Sequence, residues 1–308
     1  MGAEQPAIVD GSSYRDLSSW ISDNHEWEDS LYKQGYVIFR GFPITDPPSF
    51  DAALDLLMRP SLEFSEETSP RSGVSGRVFT STDYPQRYPI QFHHEFSYRQ
   101  SHPDRLAFCC ISPAKSGGAT PIADARRVLS RIPAGLVERF EQSGIAYVRH
   151  FGDLGVSWKD AFGTSDKTEV SDYCAAHGIS YSWSGEDLST SQTAPAVIEH
   201  DVTGERAWFN SVVNLNVAGI EPKSIRDALM ALPPELISTN TTYGTGEAID
   251  PETIAQLRQI YEEAAIRFEW QTGDLLLIDN VLTAHARDPF EGDRRVIVGM
   301  GNSFTTQH

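Results

Sequence analysis

Within residues 91–98, QFHHEFSY, two histidines and a glutamate stand side by side between aromatic residues. In an extended segment residues i and i+2 point to the same side, so His93 and Glu95 converge while His94 turns away with Phe92 and Phe96. Only the register that begins at His93 pairs a histidine with a carboxylate, because the residue two beyond His94 is Phe96. Taken alone the pair is a short pattern that chance supplies in many proteins, and a histidine hydrogen-bonded on a strand is the plainer explanation. His285 changes the balance. It follows the apolar run LLLIDNVLTA, which carries it to the edge of a buried strand. Two histidines and one carboxylate form the facial set that holds non-haem Fe(II) and leaves the opposite positions open. A structural zinc site requires a fourth closing ligand, and none of Cys109, Cys110 or Cys174 is placed to supply it.

The elements that must position these residues are legible as runs of different period. SYRDLSSWISDNHEWEDSLYKQ has helical apolar spacing that Gly35 ends, and YVIFRGF follows as a strand rich in β-branched and aromatic residues. Residues 65–76 read as a polar loop before the strand RVFTST, and RLAFCCIS reads as a buried strand. Helices are predicted at ARRVLSRI, at AGLVERFEQSG and in the capped stretch TSDKTEVSDYCAAHG, which Gly178 terminates. In DPETIAQLRQIYEEAA, Asp250 is placed to cap, Pro251 suits the first turn, and Ile254, Leu257 and Tyr261 share a face. GDLLLIDN and RRVIVGMGNSF read as strands on either side of VLTAHARDPFEGD. Short strands towards both ends with helices between them suggest an antiparallel barrel or sandwich decorated by helices rather than a βαβ alternation.

Composition narrows the partners. The 308 residues suffice for one large domain, and 43 acidic against 25 basic residues give a formal charge of -18 that repels a phosphate backbone. No nucleic-acid partner is expected. The first residues lack a basic and apolar leader and no apolar run is long enough to span a bilayer, so a cytoplasmic protein without a membrane partner is expected. The three cysteines show no CxxC spacing and read as buried, reduced thiols. Motifs for dinucleotides, P-loop phosphates, serine hydrolases and zincins are absent.

From GYVIFRGF to RRVIVGM the chain resembles the iron- and 2-oxoglutarate-dependent oxygenases of the taurine dioxygenase and clavaminate synthase type. FHHEFSY corresponds to their His-x-carboxylate motif, SGGATPIAD to their Gly-Gly-x-Thr turn, and DNVLTAHARDPFEGDRR to their distal histidine followed by arginine. SPAKSGGATPIADARRVL and HDVTGERAWFN look like the branch that hydroxylates amino acids or acyl groups in specialised metabolism. The resemblance implies a single oxygenase domain over 1–308, mainly β with helical insertions around a double-stranded β-helix (jelly-roll, cupin-like) core, in which residues 150–195 form a helical insertion suited to a lid.

It implies Fe(II) held by His93, Glu95 and His285, with 2-oxoglutarate and O2 as cosubstrates. It places Thr120 and an arginine on the far carboxylate of 2-oxoglutarate; Arg295, which directly precedes the apolar strand, is preferred over its neighbour Arg294. Gln91, Ser97, Arg77, Trp208, Asn210 and Arg287 are candidates for substrate binding, each also explicable by strand polarity, packing or a salt bridge. Some relatives carry a second arginine four residues beyond the first; here that position is Gly299, which counts against a sulfonate such as taurine. A carboxylate at Glu95 leaves no place for halide, so oxygen transfer to an unactivated C–H of an amino-acid-like molecule, free or on a carrier protein, is expected. Desaturation or cyclisation is the alternative within enzymes, and a cupin-like binder without turnover the alternative outside them.

Overall fold

The computed structural model describes residues 6, 8–60, 73–75, 78–80, 84–152 and 155–302. The structure is mixed α/β and rich in strands. Its largest sheet runs, in spatial order, Ile8–Asp10, Tyr36–Arg40, Leu275–Asp279, Arg105–Ser112, Arg295–Asn302, Val78–Thr80 and Gly73–Ser75, with Arg59–Pro60 also paired to Arg295–Asn302. The first pair is parallel, and the neighbours that follow it are antiparallel. A second sheet sets Thr283–Arg287 between Ile90–His93 and Ile122–Asp124.

The central strands are apolar on both faces because both faces are covered. Leu275, Leu277, Phe39, Ala107, Cys109 and Ile297 pack outward against Leu17, Trp20, Leu31, Phe50 and Leu54 of the N-terminal helices Leu17–Asp23, Trp27–Gln34 and Pro47–Leu57. Their strand neighbours Leu276, Ile278, Ile38, Phe108, Cys110, Val296 and Val298 face inward, as the period of two requires. Each fully buried Leu or Ile of this kind contributes about 1.5–3 kcal/mol. The helix Pro251–Ala264 closes the far side of the smaller sheet, where Tyr261 stacks on Phe92 at 5.1 Å. Phe92 is thereby held on one face and His93 on the other.

Several local expectations are corrected. The first helical run is broken into Leu17–Asp23 and Trp27–Gln34. Asp250 precedes the helix Pro251–Ala264 without making a side-chain cap, so Pro251 alone marks its start. The stretch VLTAHARDPFEGD, given no element of its own between its two flanking strands, contains the strand Thr283–Arg287 that carries His285. Residues 150–195 are only partly helical: Trp158–Phe162 and Lys167–Ala176 are followed by the hairpin Ser180–Ser184 and Asp187–Ala194. That hairpin extends a four-stranded sheet with Ile145–Phe151 and Thr239–Tyr243, and the segment has its own small core around Trp158, Val170, Cys174 and Leu188. Among the described residues no helix is long and apolar enough to cross a membrane.

Candidate active site

The inner face of the large sheet and the smaller sheet enclose a cleft of about 470 Å³, including its open mouth. Ile90, His93, Glu95, Phe108, Thr120, His285, Ala286, Arg287, Arg294 and Val298 line it. His93 and His285 are direct cross-strand partners, their rings 4.2 Å apart. Potential donor atoms of His93, Glu95 and His285 all lie within 4.8 Å of one another.

Glu95 reaches this cluster by a turn rather than by a continuing strand. The strand Ile90–His93 ends at the histidine, and Phe96 adopts a left-handed φ of 53°, which is rare for a bulky residue. Asn280 holds the turn from below: its Oδ1 accepts from the Glu95 amide at 2.9 Å, and its Nδ2 donates to the Glu95 carbonyl at 3.0 Å and the Pro103 carbonyl at 2.9 Å. Asp279 fixes the next corner by accepting from the amides of Val281 and Leu282, and His200 bonds its other oxygen at 3.0 Å. The HDVTGERAWFN motif thus supplies a buried brace through its histidine.

His93 Nδ1 lies 2.8 Å from the carbonyl of Gln91. A carbonyl only accepts, so Nδ1 carries the hydrogen and Nε2 keeps its lone pair for a metal. His94 leaves the cleft altogether. It is fully buried, donates from Nδ1 to the Asn280 carbonyl at 2.6 Å, and lies against Phe209. Burial lowers its pKa to about 4, so it is neutral at physiological pH.

Thr120 sits beyond the Gly-Gly turn. Gly117 and Gly118 have φ of 69° and 73°, and a Cβ on them would stand 2.3 Å from the Pro289 carbonyl and 2.9 Å from Arg294 Cδ. Glycine is therefore required both by the left-handed turn and by the close approach of the chain that brings Arg294 in. Arg294 donates from Nε to the Gly118 carbonyl at 2.8 Å and from Nη2 to Thr120 Oγ1 at 3.2 Å. Trp270 Nε1 also donates to Thr120 Oγ1, at 3.2 Å. With two donors on its oxygen, the Thr120 hydroxyl keeps its own hydrogen for an acceptor in the cleft. Burial and the neighbouring Arg287 pull the Arg294 pKa down to about 10, leaving it cationic at neutral pH, and among the described residues no carboxylate pairs with it.

The expectation for Arg295 is corrected. Arg295 is exposed, whereas Arg294 lines the cleft. Position 294 shares its side with Val296 and Val298, which face inward, and position 295 shares its side with Ile297, which faces the outer core. The position four beyond the inward arginine is accordingly Val298, an apolar wall of the cleft. Gly299 faces the outer layer, where a Cβ would fall 2.4 Å from Leu54 Cδ1.

Most substrate candidates are corrected as well. Trp208 is wholly buried edge-on to Phe140, and Asn210 spends its amide on the Ala196 carbonyl and the Val212 amide. Ser97 bonds Ser211 in the interior, and Gln91 contributes its carbonyl to His93 while its side chain is not among the cleft walls. Arg77 lies outside the described residues. Of the candidates among the described residues, Arg287 alone is on the wall of the cleft. It makes no salt bridge among the described residues and instead donates to the carbonyls of Tyr84, Pro85 and Tyr88, each at 2.9 Å. Sequence reasoning missed Asn280, Trp270, Phe108 and Val298. A polar residue closing an apolar strand was the available signal for Asn280; the other three read only as core.

A facial set of two histidines and a carboxylate, beside an arginine that has no carboxylate partner among the described residues and donates to a threonine, defines the class of non-haem iron enzymes that take a 2-oxo acid. The chain belongs to the taurine catabolism dioxygenase TauD, TfdA family, whose model matches residues 1–300. It is similar to the dapdiamide synthesis protein DdaC of Enterobacter agglomerans, 36% identical over 97% of this chain and 92% of that one. It is also 31% identical to a clavaminate synthase-like protein of Arabidopsis thaliana, over 91% of this chain and 85% of the relative. A solved taurine dioxygenase from Burkholderia xenovorans shares the fold, with a TM-score of 0.53 at 17% identity over 96% of this chain and 86% of that one. The protein is a 2-oxoglutarate-dependent non-haem iron dioxygenase, using Fe(II), 2-oxoglutarate and O2. Family membership sets aside the reading of a binder without turnover.

Proposed function

We propose that the protein hydroxylates an unactivated C–H bond of an amino-acid-like small molecule in specialised metabolism. The observation that carries the reading is the shared cleft of His93, Glu95 and His285 with the unpaired Arg294 on Thr120. The identity to a protein named for dapdiamide synthesis supports the metabolic setting. The core is read as a double-stranded β-helix, the large sheet facing the smaller one across the cleft, in a single domain. Residues 150–195 are read as a cover for the mouth, since Gln192 bonds the Tyr98 carbonyl and Gln100 reaches the His177 carbonyl on the turn that follows Glu95.

His93 Nε2, a Glu95 carboxylate oxygen and a His285 ring nitrogen would hold Fe(II), and the donor set fits that ion. A bound ferrous ion would supply activation of O2 coupled to decarboxylation of 2-oxoglutarate, with succinate and carbon dioxide as coproducts and one oxygen atom for the substrate. The protein's own residues bind and orient. Arg294 supplies the charge and Thr120 the hydroxyl hydrogen that receive the far carboxylate, fixing the direction in which the 2-oxo acid end points. Phe108, Val298 and Ile90 exclude water from that end and raise the strength of the ionic contact. Asn280 keeps Glu95 at the depth of the histidines. No side chain of the cleft is placed for general acid–base work beyond the proposed ligands.

The test is turnover of free and carrier-bound amino acids under labelled oxygen gas, with succinate and product analysed by mass. One labelled atom in succinate and one in a product alcohol is the expected outcome, barring exchange with water. A product lighter by two hydrogens with no new oxygen moves the reading to desaturation or cyclisation. Chlorinated product or efficient taurine turnover overturns it.

A further inference from the structure

Arg287 is two residues beyond His285 on the same side of the strand Thr283–Arg287, 7% exposed, and on the wall of the cleft. Its Nη atoms serve the carbonyls of Tyr84, Pro85 and Tyr88, while its Nε is buried with no acceptor among the described residues. The still more deeply buried Arg105 shows what a structural arginine looks like in this chain: it also bonds a carbonyl, that of Leu57, and likewise leaves its Nε without an acceptor, but it is neutralised by Glu28. Among the described residues Arg287 has no such counter-ion. Both it and Arg294 lie over the ring of Phe290, at 5.4 and 5.5 Å, so the two uncompensated guanidiniums belong to one small region of the cleft.

Formal charge then constrains the ligands. A ferrous ion, Glu95, the 2-oxoglutarate dianion and Arg294 together carry no net charge. Arg287 leaves one positive charge over, in a cleft walled by Ile90, Phe108 and Val298. Backbone carbonyls solvate that charge without neutralising it, and an unneutralised buried ion is costly. We propose that Arg287 receives a free carboxylate of the substrate, through its charge on the wall of the cleft. The inference rests on the oxygenase reading of the same cleft and adds the chemical class of the substrate, a small carboxylic acid. An amino acid esterified to a carrier through its only carboxyl group lacks that anion and is disfavoured.

The experiment uses the full chain loaded with Zn(II) and the inert 2-oxoglutarate analogue N-oxalylglycine, so that nothing turns over. Each proteinogenic L-amino acid and its carboxamide is titrated in by calorimetry, with wild type, Arg287→Lys and Arg287→Gln. The best acid is expected to bind at least about tenfold more tightly than its amide in the wild type. That preference should persist in Arg287→Lys, which keeps the charge, and fall towards unity in Arg287→Gln, which does not. If Arg287 only fastens the 84–88 loop, both variants weaken acid and amide alike and the ratio stays put, which overturns the proposal. Amides binding as tightly as acids to the wild type, or no acid binding at all, overturns it without any variant, so a failure of Arg287→Gln to fold does not protect it. Failure of Zn(II) and N-oxalylglycine to bind brings down the oxygenase reading as well. Their binding with an unmoved ratio brings down this inference alone.

Discussion

The side-chain amide of Asn280 grips the backbone of Glu95 at two points, accepting from its N–H at 2.9 Å and donating to its C=O at 3.0 Å. Asn280 itself lies just before the strand Thr283–Arg287, so this contact joins the segment that carries His285 to the turn that carries Glu95. Asn280→Asp keeps the shape and removes the donor, setting an oxygen against the Glu95 and Pro103 carbonyls. We expect at least about a tenfold loss of metal affinity, the usual effect of removing a residue that orients a ligand. Competition titration of Zn(II) with a chromophoric chelator measures it, and unchanged affinity refutes the bracing role.

Arg294 and Arg295 separate the cosubstrate site from the surface. Arg294→Ala should weaken 2-oxoglutarate by about 2–4 kcal/mol, because a carboxylate loses its charged partner inside a cleft. Arg295→Ala, at an exposed position, should change it by less than about 0.5 kcal/mol. The apparent affinity for 2-oxoglutarate in succinate release reads both; equal losses contradict the assignment.

The two adjacent histidines should behave oppositely towards metal. With Fe(II) and 2-oxoglutarate under anaerobic conditions, a weak visible charge-transfer band is expected from the chelated 2-oxo acid. His93→Ala, Glu95→Ala and His285→Ala should each abolish it. His94→Asn, which preserves a donor towards the Asn280 carbonyl, should retain it. A band lost only in the His94 variant reverses the register.

His94 also predicts a pH dependence. Burial lowers its folded pKa to about 4 from the ordinary 6.5, so between those values the unfolded chain binds a proton that the folded chain refuses. The sign follows: stability is unaffected by this group above pH 6.5 and declines as pH falls from there towards 4. A full proton corresponds to a slope of about 1.4 kcal/mol per pH unit. Denaturant titrations of metal-free protein should show the slope reduced in His94→Asn; identical slopes in the two proteins rule His94 out.

The sequence by itself pointed to His93, Glu95 and His285 as the residues that cluster, although the strand ends at His93 and a turn, not the strand's period of two, brings Glu95 to them. It also marked the Gly-Gly-x-Thr turn, since a left-handed turn and a close backbone approach admit only glycine there. Other features were decided only by the tertiary structure. The Arg295–Asn302 strand is apolar on both sides because it is the middle of a covered sheet, so its sequence carries no sign of which side faces the cleft. Choosing Arg294 over Arg295 needed the position of the second sheet. Trp208 and Asn210 look like pocket residues in sequence because aromatic and amide side chains suit both a pocket and a hydrogen-bonded core. Only the surrounding walls assign them to the core. The same holds for Asn280: a polar residue at the end of an apolar strand is visible in the sequence, but its partners come from Glu95 and Pro103, which the fold alone brings within reach.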